Sequence, residues 1–351
     1  MTEVVEQSQN NKERCLVIGG LGMLGFEIVK QLLEKGKEVR VLDCQPCKAN
    51  GFEFIQGDIR ERSIVEKACQ GVDIVFQTAA AVWNPCQSES IYYEVNVLGN
   101  RNVINACKRL NVPKLIYSST LDVVVDGRKP IVYGDESLPY PKKMPRDPYS
   151  RTKIIAEKEV IAANSSDLLT CSLRPVGMYG PRDKYHLPNI IEVAKSKNNI
   201  RLGDGSACFS HVYSENAAYA HVLAAEHLKL GSPLAGECYF ITDHQPAENL
   251  FTFMEPFLER LGYPVPKRSI PYRVAYILAW LAEKIAPKSN FNRFSVVQTC
   301  IDHTFVSKKA REDFGYEPIV SKEEAFERTV EWFLRQEEFN NNSMSKKTKR
   351  K

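Results

Sequence analysis

The chain has 351 residues, 43% hydrophobic and 26% charged, ordinary values for a folded protein with a sizeable core. Its net charge is +4, but the terminal "KKTKRK" carries five positive charges, so the body is close to neutral and offers no basic surface for nucleic acid. The ten cysteines are scattered; Cys44 and Cys47 form a C-x-x-C without the second pair a structural zinc site needs, so no metal is expected, and reduced thiols point to a cytoplasmic protein.

Residues 1–12 read as an irregular polar tail without a signal-peptide pattern. "CLVIGG" predicts a strand and "MLGFEIVKQLLEKG" a helix closed by Gly36. "EVRVLD" and "FEFIQGDI" predict strands, "RSIVEKACQG" a helix and "DIVFQTAA" a fourth strand. A long helix over "YYEVNVLGNRNVINACKRL" and a fifth strand, "KLIYSST", follow; after a loop come the helix of "DPYSRTKIIAEK" and the strand "LTCSLRP". Short apolar strands between amphipathic helices predict an α/β fold, a Rossmann-type doubly wound parallel sheet. Its bounds are 13–180, with later contributions from about 201–245. Residues 181–338 read as a smaller, mostly helical substrate region, and 339–351 as a basic, irregular tail. The segment Ile270–Ala286 is apolar with charges only at Arg273, Glu283 and Lys284; it is shorter than the ~20 residues that span a bilayer, so it packs on the core or lies on a membrane surface.

"VIGGLGMLG" follows a strand and opens a helix. Gly20, Gly22 and Gly25 fit G-x-G-x-x-G; Gly19, Gly22 and Gly25 fit the wider G-x-x-G-x-x-G. Such glycines let backbone N–H groups, here around Met23 and Leu24, approach a pyrophosphate at the positive helix end. The unit ends on Asp43, which would accept from adenosine ribose hydroxyls and repel a 2′-phosphate, favouring NAD over NADP. Asp58 and Ile59 after the third strand, and Ala79 and Ala80 after the fourth, are further cofactor-binding candidates; packing is the alternative role of the alanines.

Tyr149 and Lys153 lie four apart and share one helical face. With the glycine loop and the hydroxyls of "YSST", they make the chain resemble an extended short-chain dehydrogenase/reductase. The resemblance implies catalytic roles for Tyr149, Lys153, Asn96 on the long helix, and the hydroxyl in the third place of the strand-end run, Thr120; Ser118 and Ser119 are the fallback. A free phenol titrates near ~10, so a neighbouring ammonium is needed to make Tyr149 a base at neutral pH. Lys153 would also hold the nicotinamide ribose, Thr120 the substrate oxygen, and Asn96 a water leading from Lys153 to solvent. The chain departs from the family at Ile18, where a threonine is usual.

"SLRPVGMYGPRDKYHLP", "SENAAYAHVLAAEHL", "YFITDHQP" and "IPYRVAYILAW" resemble the 3β-hydroxysteroid dehydrogenase branch, nearest its C4-decarboxylating sterol 3-dehydrogenases. This implies NAD-dependent oxidation of a 3β-hydroxysterol or steroid to the 3-ketone, with loss of a 4α-carboxyl as CO₂. Pro175 and Val176 would border the nicotinamide; Met178, Tyr179, His186 and Leu187 are candidates for the substrate pocket or for core packing. The resemblance also implies a homodimer through the helices of Asn96 and Tyr149, and membrane contact through Ile270–Ala286 on the cytosolic face of the endoplasmic reticulum. An NDP-sugar epimerase or dehydratase, and a non-catalytic NAD-binding regulator, are the rival readings. The sterol-like segments argue against the first, and the intact Thr120, Tyr149 and Lys153 against the second.

Overall fold

The computed structural model describes residues 12–348, apart from 49–50, 85, 128, 196–198, 244–245, 287–288 and 290. β1 (Arg14–Ile18), α1 (Met23–Glu34), β2 (Glu38–Asp43), β3 (Glu53–Gln56), α2 (Arg62–Cys69) and β4 (Ile74–Gln77) follow the expected alternation. The long helix is one unbroken run of α3 (Glu89–Tyr92), a π-helical stretch (Tyr93–Gly99) and α4 (Asn100–Arg109). Then come β5 (Lys114–Ser118), a 3-10 turn (Leu121–Val123), β6 (Ile131–Gly134), α5 (Pro148–Ala162) and β7 (Leu169–Pro175). The remainder comprises β8 (Gly177–Tyr179), α6 (His186–Lys195), β9 (Ile200–Leu202), β10 (Cys208–Phe209), β11 (His211–Tyr213), α7 (Ser214–His227), β12 (Glu237–Ile241), β13 (Glu248–Asn249), α8 (Leu250–Arg260), β14 (Arg268–Ile270), α9 (Tyr272–Ile285), α10 (Arg293–Cys300), β15 (His303–Phe305), α11 (Lys308–Phe314) and α12 (Lys322–Thr348).

Seven strands form one parallel sheet in the order β12-β7-β5-β4-β1-β2-β3. Parallel strands need crossovers, and the crossover helices cover both faces. β1 makes the layering visible. Cys15 and Val17 pack into one core with α1 and α7, while Leu16 and Ile18 pack into the other with α2 and α4. The order reverses between β1 and β4, which opens the ligand crevice at the carboxyl ends of those strands.

Three features differ from the sequence reading. β6 lies where only a loop is expected; it pairs with the distant β15, a partner that local pattern cannot announce. The π-helical stretch interrupts what reads as a plain α-helix. α12 continues through residues 339–348, where an irregular tail is expected; this helix contains neither glycine nor proline to stop it. Residues 1–11 and 349–351 of the expected tails lie outside the described residues.

Candidate active site

The β1–α1 turn is built by close backbone approach. Gly19 has φ +81°, and a Cβ there would lie 2.8 Å from the Ala79 nitrogen. A Cβ on Gly25 would sit on the Gly19 carbonyl oxygen. Gly19 and Gly25 are thus held to glycine by backbone, and Gly20 by the Val41 side chain, 2.7 Å from where its Cβ would lie. α1 starts at Met23 with Gly22 as its N-cap and no side chain capping it, which leaves the first N–H groups, those of Met23 and Leu24 included, open to an anion. Thr78 donates its hydroxyl to the Ile18 carbonyl at 2.7 Å, so a hydroxyl from the next strand end braces the loop that Ile18 cannot.

Asp43 ends β2 beside this turn. Its carboxylate accepts from the Leu21 N–H at 3.0 Å and the Gln45 N–H at 2.9 Å, which fixes an acid where an adenosine ribose would lie. Asp58, half-buried, is held by Arg60 at 2.7 Å; this hydrogen bond keeps its carboxyl below the usual range. Ile59 is buried beside it. The Ala79 N–H donates to the Gln77 side chain at 3.0 Å, and Ala80 follows in the same crevice-lining turn. At the far side, Pro175 closes β7 and the Val176 N–H donates to Ile241 at 3.2 Å. The cradle, the acid and the uncapped helix end fit a dinucleotide with free ribose hydroxyls.

The chemical groups gather at the ends of β5 and α5. Asp147 caps α5 by accepting from the Ser150 N–H at 2.7 Å, and Pro148 sits in the first turn, so Tyr149 is held at the helix start. Thr120 follows β5, and its hydroxyl bears on the Tyr149 phenol, lowering it. Among the three strand-end hydroxyls it is thus Thr120, the third-place residue, that acts on the tyrosine. The backbone of Ser118 serves differently: its carbonyl accepts from Lys153 Nζ at 2.7 Å, with the ammonium 4.3 Å above the Tyr117 ring.

Burial drives both members of the couple toward neutrality. It raises the Tyr149 phenol, with Asp122 adding in the same direction, and pushes Lys153 down to about 7. The simple expectation that Lys153 pulls the phenol down is therefore incomplete: the pocket makes any added positive charge strongly felt, because screening inside it is weak.

Asn96 lies in the π-helical stretch. Its side chain accepts from the Ala81 N–H at 2.8 Å and donates to the Ala81 carbonyl at 3.1 Å and to Thr152 at 3.1 Å. It thus ties the turn after β4 to α5. Of the residues weighed for a substrate pocket, Tyr179 and Leu187 are buried in the core of the C-terminal region with Phe253 and Phe257, and Tyr179 also borders a cavity of about 360 Å³ between α8 and α12. Met178 is half-buried against the sheet core, and His186 is packed near His211. Near Thr120 and Asp122, residues that the sequence did not single out come together. Trp83 meets Phe294 of α10 at 5.2 Å between centroids, and one turn later Gln298 donates to Asp122 at 2.6 Å.

Residues 16–272 match the model of the 3-beta hydroxysteroid dehydrogenase/isomerase family, most of the chain. The chain belongs to that family. Within the 3-beta hydroxysteroid dehydrogenase/isomerase family it is similar to the short-chain dehydrogenase/reductase family 42E member 1 of Bos taurus, 38% identical over 94% of this chain and 89% of that one. It is also similar to the human sterol-4-alpha-carboxylate 3-dehydrogenase, decarboxylating, 37% identical over 94% and 91%. Among solved structures, the fold matches the UDP-glucose 4-epimerase of Thermotoga maritima with TM-score 0.73 and 22% identity over 92% of this chain and 99% of that one. The glycine turn after Ile18, Asp43, Thr120, Tyr149 and Lys153 all fall inside the segment that the 3-beta hydroxysteroid dehydrogenase/isomerase family model matches.

Proposed function

We propose that this protein oxidises the 3β-hydroxyl of a sterol or steroid to the 3-ketone with NAD. The docking of α5 on the end of β5 carries this reading: Lys153, four residues after Tyr149, donates to the carbonyl of Ser118, two residues before Thr120, at 2.7 Å. There Tyr149, as phenolate, would take the alcohol proton with a hydroxyl close by, at the edge where ligands of such sheets bind. The cofactor is NAD: Asp43 suits free ribose hydroxyls and opposes a 2′-phosphate. Held by the β1–α1 turn and Asp43, NAD would supply the hydride acceptor for C3 and a positive charge in the pocket. Tyr149 would then hold the proton taken from the substrate oxygen, Lys153 would face the ribose while donating to the Ser118 carbonyl, and Asn96 keeps the turn at Ala81 in place.

The sterol assignment draws on the family and on the relative named for a 4α-carboxylate substrate. The aromatic pair Trp83 and Phe294 supports it, since flat apolar surface gains about 25 cal/mol per Å² removed from water. If the substrate has a 4α-carboxyl group, the product is a β-keto acid, which loses CO₂ without another catalytic group. α9 buries Ala275 and Ala279 and leaves Val274, Ile277, Leu278, Leu281 and Ile285 exposed along one side, with Arg273 and Lys284 at its ends. None of the described helices is long and apolar enough to cross a membrane. This face would lie on the cytosolic surface of the endoplasmic reticulum, where sterols are reached. A homodimer through the helices of Asn96 and Tyr149 belongs to the same reading.

The test is a panel of 3β-hydroxysterols, with and without a 4α-carboxyl group, incubated with NAD and analysed for 3-ketone and CO₂. 3-Ketone from 3β- but not 3α-hydroxysterols supports the reading; turnover of a nucleotide sugar and of no sterol contradicts it.

A further inference from the structure

Arg182 lies in the loop between β8 and α6, and none of the roles above uses it. It is half-buried, and its backbone has φ +67°, a left-handed conformation that residues other than glycine rarely adopt. The loop fixes this conformation from the following residue. The Asp183 N–H donates to the Gly180 carbonyl at 3.2 Å, and the buried Asp183 carboxylate accepts from the N–H groups of Tyr185, His186 and Leu187 at 2.8, 2.9 and 2.7 Å. The side chain of Arg182 leaves the C-terminal region and reaches the start of α1. Its guanidinium carbon stands over the Phe26 ring, 3.6 Å from the ring centroid. Phe26 is in the first turn of that helix; its N–H bonds to the carbonyl of Gly22, the N-cap, at 2.9 Å.

A half-buried guanidinium is usually paired with an acid. Arg182 forms no ion pair among the described residues, and the next acid along α1, Glu27, stands 3.9 Å from Lys30 instead. The ring below it offers a π-face but no lone pair, so the five N–H donors are left without an acceptor there. Burial works against the charge. This cation without a counter-charge lies against the helix start whose N–H groups, those of Met23 and Leu24, are also left open. We propose that Arg182 is a cofactor-binding residue that grips the pyrophosphate of NAD together with the N–H groups of the β1–α1 turn. Its planar fork suits two phosphate oxygens, which would replace the missing carboxylate. Phe26 supports the fork, and the left-handed backbone at residue 182 aims it. The C-terminal region thereby takes part in holding the cofactor. The inference rests on NAD as the cofactor and not on the sterol reading.

The test is binding, without substrate. NAD, ADP and adenosine are titrated calorimetrically into the wild-type protein, Arg182→Met and Arg182→Lys. Arg182→Met keeps an apolar stem over Phe26 and removes the charge. The Kd of NAD and of ADP should rise about tenfold or more in this variant, while that of adenosine changes less than about twofold. Arg182→Lys should recover part of the loss, since it restores the charge without the fork. Added salt should weaken ADP binding less in Arg182→Met than in the wild type. Unchanged ADP affinity in Arg182→Met overturns the inference. An equal loss for ADP and adenosine also overturns it, because the arginine would then serve only the shape of the turn. Should Arg182→Met not fold, Arg182→Lys decides alone: a loss confined to NAD and ADP supports the grip, and no loss or an equal one contradicts it. A protein that holds NAD through Arg182 and oxidises no sterol would uphold this inference and reject the sterol reading.

Discussion

Glu157 of α5 and Arg174 of β7 form a buried ion pair, Nη2 to Oε1 at 2.7 Å, one helical turn beyond Lys153. Ser172 and Tyr140 add hydrogen bonds to the same carboxylate at 2.8 and 2.9 Å. This network clamps α5 to the sheet and holds Lys153 within reach of the Ser118 carbonyl. Burial pushes Glu157 up, but Arg174 and the hydrogen bonds outweigh it and hold the carboxyl below its ordinary range. Removing one partner leaves an uncompensated charge, so Glu157→Ala should cost about 3–5 kcal/mol in urea unfolding. Because the folded value is depressed, the pair's contribution is complete above the unfolded value near ~4.3 and fades as pH falls through the folded one. Wild type and variant should therefore converge in stability toward acid pH.

Tyr149→Phe should reduce hydride transfer by about 10²–10⁴-fold while NAD binding, followed by fluorescence quenching, survives. Lys153→Ala should damage both, since in the proposed mechanism its ammonium serves the ribose and the phenol. A Tyr149→Phe variant retaining most of the activity would remove the tyrosine from the chemistry.

Lys153 also predicts a pH dependence of stability. Its folded value is pushed down to about 7 by burial, below an unfolded value near ~10.4. The unfolded chain binds the extra proton between these values, so the penalty for burying this ammonium is full below about pH 7 and is relieved as pH rises above it. Lys153→Met should therefore gain on the cofactor-free wild type at pH 6 and lose that advantage toward pH ~10 in thermal unfolding.

At Asp43, truncation to alanine should shrink the preference for NAD over NADP by about 1–3 kcal/mol, read from the ratio of kcat/KM values. Equal use of both cofactors by the wild-type protein would show that the acid does not select.

Gly25→Ala should abolish cofactor binding and leave the sheet intact, because the added methyl falls on the Gly19 carbonyl oxygen and the turn must open. Circular dichroism together with NAD titration separates these outcomes.

Much of this was legible because local patterns carried it. The glycine spacing, Asp43 and the Tyr149/Lys153 pair each lie within a short stretch of chain, where strand and helix periods are readable. In the hydroxyl run the family resemblance already pointed to Thr120, with Ser118 and Ser119 as the fallback; the structure adds that the Ser118 carbonyl is engaged by Lys153. What stayed hidden depends on contacts between distant residues. Gln298 reaches Asp122 from a helix far along the chain, β6 needs β15 as partner, and the grip of Asn96 on Ala81 depends on the π-helical stretch. Leu187 shows the opposite limit: an apolar residue near a predicted site packs as core unless geometry gives it a ligand.

The central claim is that hydride leaves C3 of a 3β-hydroxysterol with Tyr149 as base. It is tested most directly with a 4α-carboxysterol carrying deuterium at C3, incubated with NAD and followed by mass spectrometry. Deuterium is expected in the reduced cofactor, together with a decarboxylated 3-ketone, and neither product with Tyr149→Phe. Deuterium-free cofactor and unchanged sterol, in a protein that binds NAD and converts UDP-glucose, would contradict it.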